Sequence, residues 1–110
     1  MPIMFLDKNR FKPNKIKTPY PAHRDCAHLM IEQKEYRKWI MVHGFIKRGK
    51  GYKRYAWLEK TGMAFDVVAK KLVKKSEFYK TKKPTAKELF TYREVKYNMK
   101  RFRRYGRWDV

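Results

Sequence analysis

Residues 53–67, KRYAWLEKTGMAFDV, constrain the fold of this chain more than any other stretch. Two runs rich in aromatic and aliphatic residues flank Lys60-Thr61-Gly62. Such runs joined by a short glycine-containing turn predict a β-hairpin, with Gly62 suited to a positive φ. Alternation along the first run places Tyr55, Trp57 and Glu59 on one face and Ala56 and Leu58 on the other. Upstream, residues 38–46 (KWIMVHGFI) show no helical period and predict a buried strand. Trp39, Met41, His43 and Phe45 would face one side, and Ile40, Val42 and Ile46 the other. The intervening KRGKGYKR, with Gly49 and Gly51, reads as a loop. Strands joined this closely pair antiparallel, since parallel pairing needs a long crossover.

Helical signals lie on either side. Asp25 is an N-cap residue type, which predicts a helix from Cys26 to about Arg37 with Ala27, Met30, Ile31 and Tyr36 on its apolar face. Cys26 would then occupy the first helical position, where the helix dipole favours a thiolate. In the lysine-rich stretch 69–85, Ser76 and Tyr79 can nucleate a short helix, and Pro84 ends it. Residues 86–90 (AKELF) read as a short strand. Thr91 and Glu94 form a capping box, with a competing box at Thr85 and Glu88. Tyr92, Val95, Met99 and Phe102 recur at helical spacing, Lys96, Lys100, Arg101, Arg103 and Arg104 lie opposite, and Gly106 is a suitable C′ residue.

Four of the five prolines fall in residues 1–22, together with Lys8, Arg10, Lys12, Lys15 and Lys17. Proline fixes φ and lacks an N–H donor, so this segment predicts an extended basic arm. The expected fold class is α+β: a small antiparallel sheet packed against an N-terminal helix bearing Cys26 and a basic C-terminal helix. Residues 1–22 would form the arm and 23–110 a single domain, in keeping with a length of 110 residues.

No run of 18 apolar residues is present, so no membrane span is expected. MPIMFL is too short for a signal peptide. The single cysteine excludes an intramolecular disulfide and fits a reducing cytoplasm. Cys26, His23, His28 and His43 match no standard ligand spacing, so neither metal nor cofactor is expected.

Charge narrows the function. Thirty Lys/Arg against ten Asp/Glu give a net charge of +20. Self-repulsion on this scale opposes the compact state. A polyanionic partner offsets it and gains free energy from counterion release. Nucleic acid is the first such partner, ahead of an anionic membrane surface. Cations cluster with aromatics at Lys47, Arg48, Lys50, Tyr52, Lys53 and Arg54. They do so again at Lys96, Tyr97, Lys100, Arg101, Arg103, Arg104 and Arg107. Lys and Arg neutralise phosphates, while exposed rings stack on unpaired bases; Tyr52, Tyr97 and Tyr105 are the rings expected to be exposed. The combination points to RNA or single-stranded nucleic acid. No helix-turn-helix, zinc-finger or RNP signature occurs.

The order of helix with an N-terminal cysteine, strand, glycine loop and hairpin resembles small papain-like (transglutaminase-like) cysteine hydrolase domains, including phage and bacterial ones. The pieces that carry the resemblance are MVHGFI, YAWLE and FDVV, with YGRWDV at the end, across roughly residues 25–108. It implies Cys26 at the nucleophile position and Asp66 at the orienting position. Tyr55 stands where the family has its histidine. A phenol titrates near pH ~10 and is a poor base at neutrality. The resemblance therefore implies a domain without its catalytic base. A working hydrolase would have to borrow one, and His43 on the neighbouring strand is the substitute. The expected function is a non-catalytic nucleic-acid-binding protein of the cytoplasm (the host's, if phage-encoded). A basic ribonucleoprotein or ribosome-associated component and a cysteine hydrolase with a displaced base are the alternatives.

Overall fold

The computed structural model describes residues 21–104 and residue 108. Five strands form one antiparallel sheet: β1 (Ile40–Arg48), β2 (Gly51–Lys60), β3 (Met63–Asp66), β4 (Lys71–Lys74) and β5 (Thr85–Phe90). Their order is β4-β3-β2-β1-β5. Helices α1 (Pro21–Glu32), α2 (Lys75–Lys82) and α3 (Tyr92–Phe102) complete an α+β fold. The predicted arm falls outside the described residues up to residue 20.

The first helix begins earlier than the sequence predicts. Pro21 is its first residue and Asp25 lies inside it, so Asp25 is not its N-cap. Proline suits the first turn, where its missing N–H would have no intrahelical acceptor. Pro21 and Ala22 are therefore helical rather than extended. Ala22, His23, Cys26, Ala27, Met30 and Ile31 are buried, an i, i+4, i+8 pattern along one face. The helix stops at Glu32, short of Arg37. Arg37 folds back instead, donating to the carbonyls of Ile31 at 2.7 Å and Met30 at 3.4 Å, which satisfies the helix's final acceptors.

The central hairpin, β1–β2, is longer than predicted. Pairing runs without interruption from Ile40↔Glu59 to Arg48↔Gly51. The basic segment 47–54 is therefore strand closed by a two-residue turn, not a loop. Gly49 makes this possible with φ 61° at the first turn position. The β2–β3 turn has positive φ at both Thr61 (38°) and Gly62 (77°), matching the expected role of Gly62. Strand β3 ends at Asp66, and Lys71–Lys74 returns as β4, a strand the lysine-rich sequence conceals.

Adjacent residues on a strand face opposite sides, and this separates the layers. His43 packs on His23 of α1 at 4.4 Å between ring centroids, and on Phe90 and Trp108. Trp57 faces the other side and meets Phe78 of α2 at 4.9 Å. Arg37 sits over the Tyr92 ring at 4.8 Å and links α1 to α3. The Thr91–Glu94 capping box forms as expected, while Thr85, in the competing box, is the first residue of β5. Val95 and Met99 are buried, and Tyr92 and Phe102 pack at the margin of the core. Helix α3 ends at Phe102, with Arg103 taking the left-handed conformation at φ 58°. Gly106, expected to play that part, lies outside the described residues.

Candidate nucleic-acid interface and the Cys26 neighbourhood

Helix α3 exposes a cationic stripe because its apolar residues recur on one side only. Arg93, Lys96 and Lys100 follow one another at i, i+3 and i+7. With Tyr92 and Tyr97 they line an open depression of about 430 Å³. The helix's one carboxylate, Glu94, accepts from the Thr91 backbone N–H at 2.8 Å. It is thereby engaged at the cap. Tyr97 is 59% exposed, and its hydroxyl accepts from Arg101 at 3.4 Å. Of the residues expected here, Lys96, Lys100, Arg101 and Arg103 are exposed, Arg104 is half-buried and its carbonyl accepts from the Trp108 indole. Arg107 and Tyr105 lie outside the described residues. Arg93 belongs to the stripe and was not singled out by the sequence, although its i, i+3 spacing to Lys96 is a legible signal.

The second expected cluster sits at the β1–β2 tip. Lys47, Arg48 and Lys50 are exposed, and Lys53 and Arg54 are half-buried. Lys53 lies over the Tyr55 ring and Arg54 over the Phe45 ring, at 5.5 and 4.6 Å. Tyr52 is 54% exposed, as expected. Tyr55 is only 8% exposed and Trp57 is fully buried, so neither can stack on a base.

Of the three positions implied by the papain-like resemblance, Tyr55 and Asp66 are hydrogen-bonded to each other, and Cys26 lies within reach of the Asp66 charge. Tyr55 donates to Asp66 Oδ1 at 2.5 Å, and the charges of Asp66 and Asp25 act on Cys26. Burial first, then these carboxylates, push the Cys26 thiol well above its ordinary range. This reverses the expectation of a dipole-activated thiolate. Cys26 lies in the body of α1 and is 0% exposed. Tyr55 is likewise held protonated, by burial foremost and then by its hydrogen bond to Asp66. His43, the substitute base, is packed among His23, Phe90 and Trp108.

A further buried carboxylate went unrecognised in the sequence. Glu59 Oε2 accepts from Trp57 Nε1 at 2.7 Å and from the Tyr79 hydroxyl at 2.5 Å. Lys75 Nζ lies 3.4 Å from Oε1. Trp57 is a same-face neighbour two positions away, but Lys75 and Tyr79 lie 16 and 20 positions along the chain, beyond the reach of any local pattern. Among the described residues, no group of three or more His, Cys, Asp or Glu could hold a metal ion, and no helix is long and apolar enough to cross a membrane.

No family model, curated protein or solved structure matches this chain.

Proposed function

We propose that this protein binds nucleic acid and performs no catalysis. The observation that carries the proposal is the outer face of α3. There Arg93, Lys96 and Lys100 form a stripe around the exposed ring of Tyr97, and the helix's only carboxylate is engaged in its capping box. A surface that merely confers solubility gains nothing from leaving such a stripe unneutralised. A phosphate backbone on it releases counterions and relieves the self-repulsion of a chain at +20.

The buried neighbourhood of Cys26 supports the absence of catalysis. A thiol attack needs a thiolate and a base to take its proton. Here the thiol is desolvated beside carboxylates, and a phenol already bonded to Asp66 stands in the imidazole position. This is consistent with a papain-like arrangement kept for its packing.

Fluorescence titration of labelled oligonucleotides across a salt series tests the proposal. Affinity should fall linearly on a log–log plot with a slope of several units, as expected when each phosphate contact contributes about −0.7 to −0.9. Absence of binding to DNA or RNA, single- or double-stranded, at about 50 mM salt overturns it.

A further inference from the structure

We propose that the tip of the β1–β2 hairpin enters the major groove of a B-form DNA duplex. The inference rests on the nucleic-acid reading above and assigns its ligand class. Strand β5 makes its last pair with β1 at Phe45↔Thr85, and β3 makes its last pair with β2 at Leu58↔Phe65. Beyond these points, among the described residues, the two central strands pair only with each other as far as Arg48↔Gly51. The result is a two-stranded ribbon that extends past the rest of the sheet. Two exposed residues per strand, Lys47 and Arg48 against Gly51 and Tyr52, at about 3.3 Å each, plus the turn, give a reach of roughly 10 Å above the buried Ile46. The major groove is about 12 Å wide and about 8.5 Å deep, and it admits a two-stranded ribbon.

The distribution of charge fits a groove better than a flat surface. Lys47 pairs with Tyr52, and Arg48 with Gly51. Successive residues alternate in direction, so Lys47 and Arg48 leave opposite faces. Lys53, opposite Ile46, joins Arg48 on its face, and Lys50 stands at the turn. Cations on both faces serve a ligand with phosphates on both sides, which a groove provides. No Asp or Glu occurs between Glu35 and Glu59 to oppose them. Gly49 and Gly51 keep the apex narrow, with open space around both positions.

Single strands and RNA duplexes fit less well. Stacking of successive unpaired bases calls for several exposed rings, and the ribbon offers one, Tyr52. The major groove of A-form RNA is too narrow for side chains to read.

The test compares the full chain on a DNA duplex of about 20 bp, an RNA duplex of the same sequence and each single strand, with dimethyl sulfate probing of the bound DNA. That reagent methylates guanine N7 in the major groove and adenine N3 in the minor groove. The DNA duplex should bind most tightly, with N7 protected and N3 left reactive. The exposed double variant Lys47→Ala/Arg48→Ala should lose the N7 protection and make the salt slope shallower by about two units. Lys96→Ala/Lys100→Ala on α3 should weaken binding but keep the protection. Protection at N3 alone, equal or tighter binding to RNA or single strands, or an N7 footprint unchanged by the ribbon variant overturns the inference while nucleic-acid binding stands. Failure to bind any of these nucleic acids overturns both.

Discussion

The Tyr55 hydroxyl donates to Asp66 Oδ1 at 2.5 Å, and the Ala69 backbone N–H donates to the same oxygen at 3.1 Å. Both side chains are buried, and Asp66 is the last residue of β3. The bond therefore ties the middle of β2 to the turn in which β3 ends. Replacing Tyr55 by Phe keeps the ring and removes the donor, leaving a buried carboxylate with one partner fewer. Hydrogen bonds to charged groups contribute about 1.5–3 kcal/mol, so Tyr55→Phe should destabilise by an amount in that range. Urea denaturation reads it as a lower midpoint at unchanged m-value. A midpoint equal to that of the parent chain would show that Asp66 gains nothing from the phenol.

Cys26 should behave as an inert core thiol. Burial and the neighbouring carboxylates of Asp25 and Asp66 keep it protonated at neutral pH. Alkylation then requires opening of the structure, because only an accessible thiolate reacts. Iodoacetamide at pH 7 should label the native chain at least ~100-fold more slowly than the urea-unfolded chain, if that opening costs a few kcal/mol. Labelling at pH 6 as fast as that of a free activated thiolate would restore the case for a cysteine hydrolase.

The fold was legible where local rules are strong. Gly62 in its turn, the Thr91–Glu94 box and the Val95/Met99 face of α3 each follow from spacing within a few residues. The start of α1 is not legible, because a proline such as Pro21 suits both an extended arm and a helical first turn, and sequence alone does not separate the two. Strand β4, KLVK, was hidden because its burial is slight and its pairing with β3 supplies the order. At the basic segment 47–54, composition indicated a loop, while continuous pairing with a glycine turn makes it strand. The candidate interface was legible as charge. The exposed rings of Tyr52 and Tyr97 were legible too, whereas the burial of Tyr55 beside the basic segment depends on what the fold packs over it.

The phenols of Tyr55 and Tyr79 predict alkaline sensitivity. Burial foremost, then bonds to Asp66 and Glu59, raise both above the ordinary tyrosine range. The folded state thus favours the protonated form and holds its protons longer than the unfolded chain does. Stability from these groups is complete below about pH 10, the unfolded pKa, and is lost as pH rises beyond it. The Cys26 thiol acts in the same direction from about pH 8.5. Melting temperature should fall progressively between about pH 9 and 11, and the fall should be shallower in Tyr79→Phe. A melting temperature constant across that interval would mean that the two phenols titrate as they do in the unfolded chain.

Gly44 is required by the closeness of its neighbours in the centre of the sheet. A Cβ there would lie 3.2 Å from the Thr85 carbonyl oxygen and 3.2 Å from Trp57 Cη2. Neither neighbour yields readily. The carbonyl belongs to the backbone of β5, and the indole is fully buried against Phe78, with its N–H bonded to Glu59. Gly44→Ala must shift β5 or rotate Trp57, and overpacking of this kind costs about 1–3 kcal/mol. Gly51→Ala is the matched comparison, since a Cβ at that position meets nothing within 4 Å and should leave stability within about 0.5 kcal/mol of the parent. Thermal or urea unfolding of the two variants should separate them, with Gly44→Ala the less stable. Equal stability would mean that β5 can move away from β1 at no cost, in conflict with the pairing that holds it at the sheet edge.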